Sequence, residues 1–166
     1  MYPDTQEVRT ARSVRGVRGI GMLVLIAGVI MAVAGVVTYV LVSTTLSDQN
    51  ISVSDDAAAF AGNHVDQPWE AYAQADVIDK HASEIAGGKT YAELPQDDPA
   101  RQTVMTASFL RASLFTSVVS FGVAALVMGL GVLFVLVGLA LLGIVRRLDQ
   151  RAAEPAVEDV PAAAAA

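Results

Sequence analysis

The sequence predicts an all-α membrane protein: an antiparallel two-helix transmembrane hairpin with a small helical extracytoplasmic domain. Three observations lead there. More than half of the 166 residues (54%) are apolar, a high share for a soluble chain of this size. The excess is concentrated in two stretches that lack any charged residue, the 23 residues Ile20–Val42 and the 34 residues Ala112–Val145. Arginines crowd the outer flanks of both stretches, whereas the segment between them is acidic.

The basic arm comes first. Residues 1–19 carry Arg9, Arg12, Arg15 and Arg18; the arm is expected to be frayed and cytoplasmic, because flanking positive charge is retained inside. Residues 20–42 form the first expected transmembrane helix. A bilayer core of about 30 Å needs about 20 helical residues, and a secretory signal has an apolar run of only about 7–15, so this stretch reads as an uncleaved anchor. Along it Gly21, Gly28 and Gly35 recur at seven-residue spacing.

Residues 43–112 make the expected extracytoplasmic helical domain, with eleven acidic residues against Lys80, Lys89, Arg101 and Arg111. Its opening part, 43–65, is the least defined: Ile51 and Val53 alternate like a short extended piece, and Gly62-Asn63 signals a turn. Asp66 to Pro68 reads as a helix start, with the aspartate as cap and proline in the first turn. Ala71, Ala75, Ile78, Ala82 and Ile85 then form an apolar stripe, which Gly87-Gly88 terminates. Thr90 and Glu93 have capping-box spacing. Asp97-Asp98-Pro99 opens the last helix, whose Val104, Ala107, Leu110 and Leu114 offer an apolar face. Trp69, Tyr72 and Tyr91 are expected to fill the small core.

The second charge-free stretch is too long for one bilayer crossing, at roughly 51 Å for a helix rising about 1.5 Å per residue. Residues 113–147 are therefore read as the second transmembrane helix extended outward, so that this helix is the domain's main support. Arg146 and Arg147 mark its cytoplasmic end, and the hydroxyls of Ser113, Thr116, Ser117 and Ser120 lie at or above the outer interface. Ala124, Gly131 and Gly138 repeat at seven-residue spacing, with Gly122 and Gly129 as a second track. Small residues permit close backbone approach in lipid, and this spacing favours a shallow left-handed crossing; the two stripes are expected to face each other. Residues 148–166, rich in proline, glutamate and alanine, are expected to be a disordered cytoplasmic tail.

Chemistry is sparse. With no cysteine, the chain has no disulfide, thiol nucleophile or cysteine metal site. Neither charge-free stretch carries an ionisable group of the kind that marks ion paths. The two histidines, His64 and His81, lie in the outer segment, and with a carboxylate such as Glu84 they form the minimal ingredients of a metal site, although His81 and Glu84 also make an ordinary exposed helix pair. Asp55-Asp56 and Asp97-Asp98 lack calcium-loop spacing and read as helix caps. No phosphate-cradling glycine loop is present, and the acidic surface disfavours nucleic acid. The expected class is thus a non-enzymatic accessory or scaffold subunit, with no cofactor, whose partners are the bilayer and another membrane protein or itself. The alternative is a small-ligand or metal-binding module using a groove formed by Trp69, Tyr72, His64 and His81.

The run FAGNHVDQPWEAYAQADVIDKHASEIAGGKTYAEL followed by DDPARQTVMTASFLRASLFTSVVSFGVAALVMGLGVLFVLVGLALLG resembles a family of uncharacterised actinobacterial two-pass membrane proteins, over about residues 10–147. Members are often labelled aromatic ring-opening dioxygenases. That label implies iron held by two histidines and a carboxylate in a soluble pocket; with two histidines in all and a short outer segment, no catalytic residue carries over.

Overall fold

The computed structural model describes residues 5–152, which form three helices: α1 (Thr5–Ser47), α2 (Pro68–Ile85) and α3 (Ala100–Ala152). Among the described residues there is no strand; one isolated antiparallel bridge pairs Ser52 with His64. Two of the helices, α1 and α3, are long and apolar enough to cross a membrane.

Both extend further than their apolar stretches require. α1 begins at Thr5, inside the segment expected to fray, and runs five residues past Val42 to Ser47. The hydroxyls at its end bond back to their own helix: Thr44 Oγ1 donates to Val40 O at 3.0 Å and Thr45 Oγ1 to Leu41 O at 2.7 Å, so threonine prolongs the helix here instead of breaking it. α3 starts at Ala100, one residue after the expected proline, and continues through Ala152, into the segment expected to be disordered. The rest of that tail, 153–166, lies outside the described residues.

The chain divides into two compact units, one formed by Met1–Ile30 with Gly131–Ala166 and the other by Met31–Leu130. In the first, α1 and α3 run antiparallel: Gly21 lies against Leu141 and Leu142, and Gly28 against Gly131, Phe134 and Val135.

In the second unit a core of Leu46, Val53, Val65, Ala71, Ala75, Leu114 and Phe121 is buried, with Tyr39 and Val42 packed on it. Its members come from α1, the 48–67 segment, α2 and α3. The 48–85 part of the chain therefore rests on both long helices, α1 sharing the support that the sequence assigns mainly to α3. The least defined segment is folded: Val53 N–H donates to Asn63 O and Val65 N–H to Ile51 O, both at 2.9 Å, and this pairing places Val53 and Val65 in the core. The turn between them needs left-handed backbone at Phe60 (φ 61°) and Gly62 (φ 76°).

The start of α2 also differs from expectation. Gln67 is its N-cap, not Asp66, and the buried Glu70 carboxylate accepts hydrogen bonds from the Gln67 N–H at 3.0 Å and the Asp66 N–H at 3.4 Å. At the other end Gly88 N–H donates to Ser83 O and Gly87 N–H to Glu84 O, the paired bonds of a Schellman end, which needs the positive φ of Gly87. Of the expected stripe, Ala71, Ala75 and Ala82 are buried, but Ile85 is 58% exposed and Val77 is buried in its place. On α3, Leu110 is likewise exposed. A second small cluster of Ala86, Leu94 and Val104 closes the 86–99 turn, where Glu93 receives the Thr90 N–H and hydroxyl. Asp98 caps α3 through the Ala100 N–H at 2.9 Å.

Removing the Glu70 cap leaves two amides of a buried segment unpaired. Glu70→Ala should cost about 1–2 kcal/mol, and the resulting rise in hydrogen exchange across α2 should be about 5–30-fold. Glu70→Gln, which retains an acceptor, should lose less.

Candidate functional site

The chemistry-bearing residues fall into three places. The first is the small-residue stripe. In the first unit a Cβ added at Gly28 would stand 2.6 Å from Val135 N and 2.7 Å from Gly131 O, and one at Gly138 would stand 2.7 Å from Leu25 Cβ. In the second unit a Cβ at Gly35 would stand 2.6 Å from Met128 Cγ and 2.9 Å from Ala124 O. No side chain fits at such separations, so these glycines are contact points between backbones. The structure thus brings Gly21, Gly28, Gly131 and Gly138 together in one unit and Gly35 with Ala124 in the other. At Gly122 and Gly129 an added Cβ meets nothing.

The second place holds aromatics. Trp69 and Tyr72 line a groove of about 450 Å³ with Phe60 and Val118 among the other walls. Tyr72 meets Phe115 edge-on at 5.6 Å between ring centroids. Contrary to the expectation from sequence, these aromatics do not fill the core: Trp69 is 50% and Tyr72 54% exposed, and the ring at the centre of the core is Phe121 of α3. Tyr91, also expected inside, is exposed and carries the Arg101 guanidinium 4.0 Å from its ring centroid.

The histidines are elsewhere, and apart. His64 Nε2–H donates to Ser47 O at 3.0 Å, with Ser47 Oγ 3.2 Å from the same nitrogen; it ties the outer segment to the end of α1. His81 meets Asp56 Oδ2 at 2.8 Å, and Lys80 Nζ meets the same oxygen at 3.2 Å. The expected four-residue groove of Trp69, Tyr72, His64 and His81 is therefore not assembled: His64 lines no wall of the aromatic groove, and His81 lines a separate one with Ile85 and Leu110. Nor does His81 pair with Glu84. Its partner lies 25 residues back, a contact invisible to helical spacing, and Asp56 is an ion-pair residue and not a helix cap. Among the described residues no group of three or more potential metal ligands gathers.

Electrostatics follow these contacts. The hydrogen bond from His81, then that from Lys80, holds the Asp56 carboxyl below the usual 3.8. Glu93 is held below 4.5 by the Thr90 backbone N–H and then by its hydroxyl. Arg111 meets Asp79 at 2.9 Å and lies over the Phe115 ring, 5.3 Å from its centroid, which joins α2 to α3. These groups are exposed, so each pair contributes little.

Two outcomes are expected. Gly28→Leu should destabilise the protein by about 1–3 kcal/mol in thermal melting, or prevent its accumulation, whereas Gly129→Leu should stay within about 0.5 kcal/mol. Because the folded Asp56 carboxyl is depressed, its contribution is present above pH 3.8 and lost as pH falls through the lowered value. The stability difference between wild type and Asp56→Asn should thus shrink as pH falls below 3.8 and vanish in stronger acid, as followed by melting at stepped pH.

Compared with known proteins, the chain matches no family model, no curated protein and no solved structure, so geometry alone bears on what it does.

Proposed function

We propose that this protein crosses the bilayer twice, through 20–42 and 113–147, with both termini cytoplasmic and residues 43–112 outside. We further propose that it is a non-enzymatic accessory or scaffold subunit that packs against another membrane protein or a second copy of itself. The observation that carries this reading is the exposure of the two longest and most apolar helices: only 17% of the most apolar window of α1 and 11% of that of α3 is buried. Leu23, Ile30, Val33, Leu41, Val119 and Leu126 all stand more than half exposed. Covering a side chain of this size is worth about 1.5–3 kcal/mol, and so many uncovered in water would drive aggregation; lipid resolves the conflict.

Orientation follows from charge. Arg9, Arg12, Arg15 and Arg18 precede the first span, and Arg146, Arg147 and Arg151 follow the second, so the positive-inside rule favours both ends in the cytoplasm. The scaffold role rests on the character of the surfaces. Neither charge-free stretch, 20–42 or 112–145, offers an Asp, Glu, Lys, Arg or His to a substrate path. In the segment between the spans both histidines, with Asp56, Glu70 and Asp79, are engaged in contacts that hold that segment to itself and to α1 and α3.

Topology and role are separately testable, since the chain has no cysteine of its own. A membrane-impermeant maleimide should label Ala92→Cys in intact cells but Gln150→Cys only after permeabilisation; the reverse pattern would invert the topology. Purified in mild detergent, the tagged protein should carry a stoichiometric membrane partner or run as a homo-oligomer, and a clean monomer would overturn the scaffold role.

A further inference from the structure

The exposed aromatic groove has a physical address. α2 is 18 residues long and runs antiparallel to the outer part of α3: Tyr72 meets Phe115, Asp79 meets Arg111, and Ile85 shares a groove with Gln102 and Thr103. Its first turns therefore lie nearest the charge-free stretch of α3. Val118, well inside that stretch, is one wall of the groove. At the same level the Tyr39 and Phe121 rings meet at a tilt, 4.8 Å between centroids, and the Tyr39 hydroxyl donates to Gln67 Oε1 at 2.6 Å, so the residue that opens α2 is tied to the far end of the first apolar stretch. From Val118 to Phe121 the rise is only about 4.5 Å.

Side-chain character divides along α2 in the same sense. Trp69 and Tyr72 occupy the end near the apolar stretch, while Asp76, Asp79, Lys80 and Glu84 follow toward the far end, with Asp76 on the groove's rim. Beside the aromatics lies the loop tip Ala57–Ala61, five residues without charge, whose Phe60 is 43% exposed and held at φ 61°. A left-handed phenylalanine in open solvent is unfavourable twice over, in backbone conformation and in hydration.

We infer that Trp69, Tyr72 and Phe60 form an interfacial anchor that seats the outer domain on the headgroup–acyl boundary of the outer leaflet. The ligand of the groove is thus the lipid surface. Indole and phenol rings, apolar in body and polar at one edge, are suited to this layer, where an apolar face sinks about 5–10 Å into the boundary. The groove is continuous through Val118 with the lipid-facing side of α3. The acids further along α2 remain in water and limit how far the domain tilts inward. This inference rests on the two-span reading.

Trp69 is the only tryptophan, so the full-length wild-type protein reports on its own anchor. It would be reconstituted into phosphatidylcholine vesicles brominated either near the carbonyl end or near the methyl end of the acyl chain; both leaflets carry bromine, so insertion direction is immaterial. The expected result is Trp69 quenching at least about twofold stronger by the shallow bromines than by the deep ones, with weak quenching by aqueous acrylamide. Protein that floats with the vesicles after alkaline washing but is not quenched by either lipid overturns the anchor and leaves the two-span reading intact, whether the indole is then in water or covered by a second protein. Protein that alkaline washing removes overturns the two-span reading itself.

Discussion

Backbone-to-backbone contact at glycine is the constraint on which the helix pairing depends. Where a Cβ on Gly28 would lie 2.6 Å from Val135 N, the separation of α1 and α3 is set by main-chain atoms. In lipid there is no solvent to drive apolar faces together, so association depends on contact area and on close polar main-chain approach. A glycine track supplies both at minimal side-chain entropy cost. The same logic in the second unit seats Gly35 on Ala124 and Met128.

One turn beyond Gly35, the contact changes character. Tyr39 and Phe121 meet as rings at 4.8 Å, a separation that no glycine contact would allow, and here the outer chain joins the two helices through the Tyr39–Gln67 hydrogen bond. On α3, Phe121 and Leu114 are buried seven residues apart, three residues out of step with Ala124, and they are large where that residue is small. The partners of those residues are then Leu46, Val53, Val65, Ala71 and Ala75 as well as α1. The change from small to large residues is thus what opens room for a third layer.

Much of this was legible because it depends on period and punctuation. The charge-free stretches, the proline and glycine at the two ends of α2, and the acidic start of α3 are local signals with local causes. What the sequence concealed depends on contacts between distant residues. Asp56 looks like a cap until His81 and Lys80 are brought to it across a turn of helix. Gln67 displaces Asp66 as the cap because its neighbours on α1 and Glu70 fix it there. The 43–65 segment has too few apolar residues to declare a strand, yet Val53 and Val65 find each other through hydrogen bonds whose register depends on the left-handed turn at Phe60 and Gly62. The aromatics misled for a related reason: Phe121, Leu46 and Leu114, with the alanines of α2 and with Val53 and Val65, already fill the core, so Trp69, Tyr72 and Tyr91 are left outside, and the residues of the candidate groove divide among separate places.

That division bears on the kind of function a domain like this can perform. A binding cleft needs polar groups that converge on an empty space and remain free to meet a ligand. In the outer part the polar groups instead converge on one another: His64 on Ser47, Gln74 on Ser54 at 2.9 Å, Arg111 on Asp79, Asp56 on Lys80 and His81. Each ties one segment to the next, and together with the alanine–valine core they fix the orientation of α2 against α1 and α3 at several points along its length. An element held this way presents a defined face, and on the proposed scaffold reading such a fixed face is what a partner in the same membrane would recognise with little loss of entropy on binding.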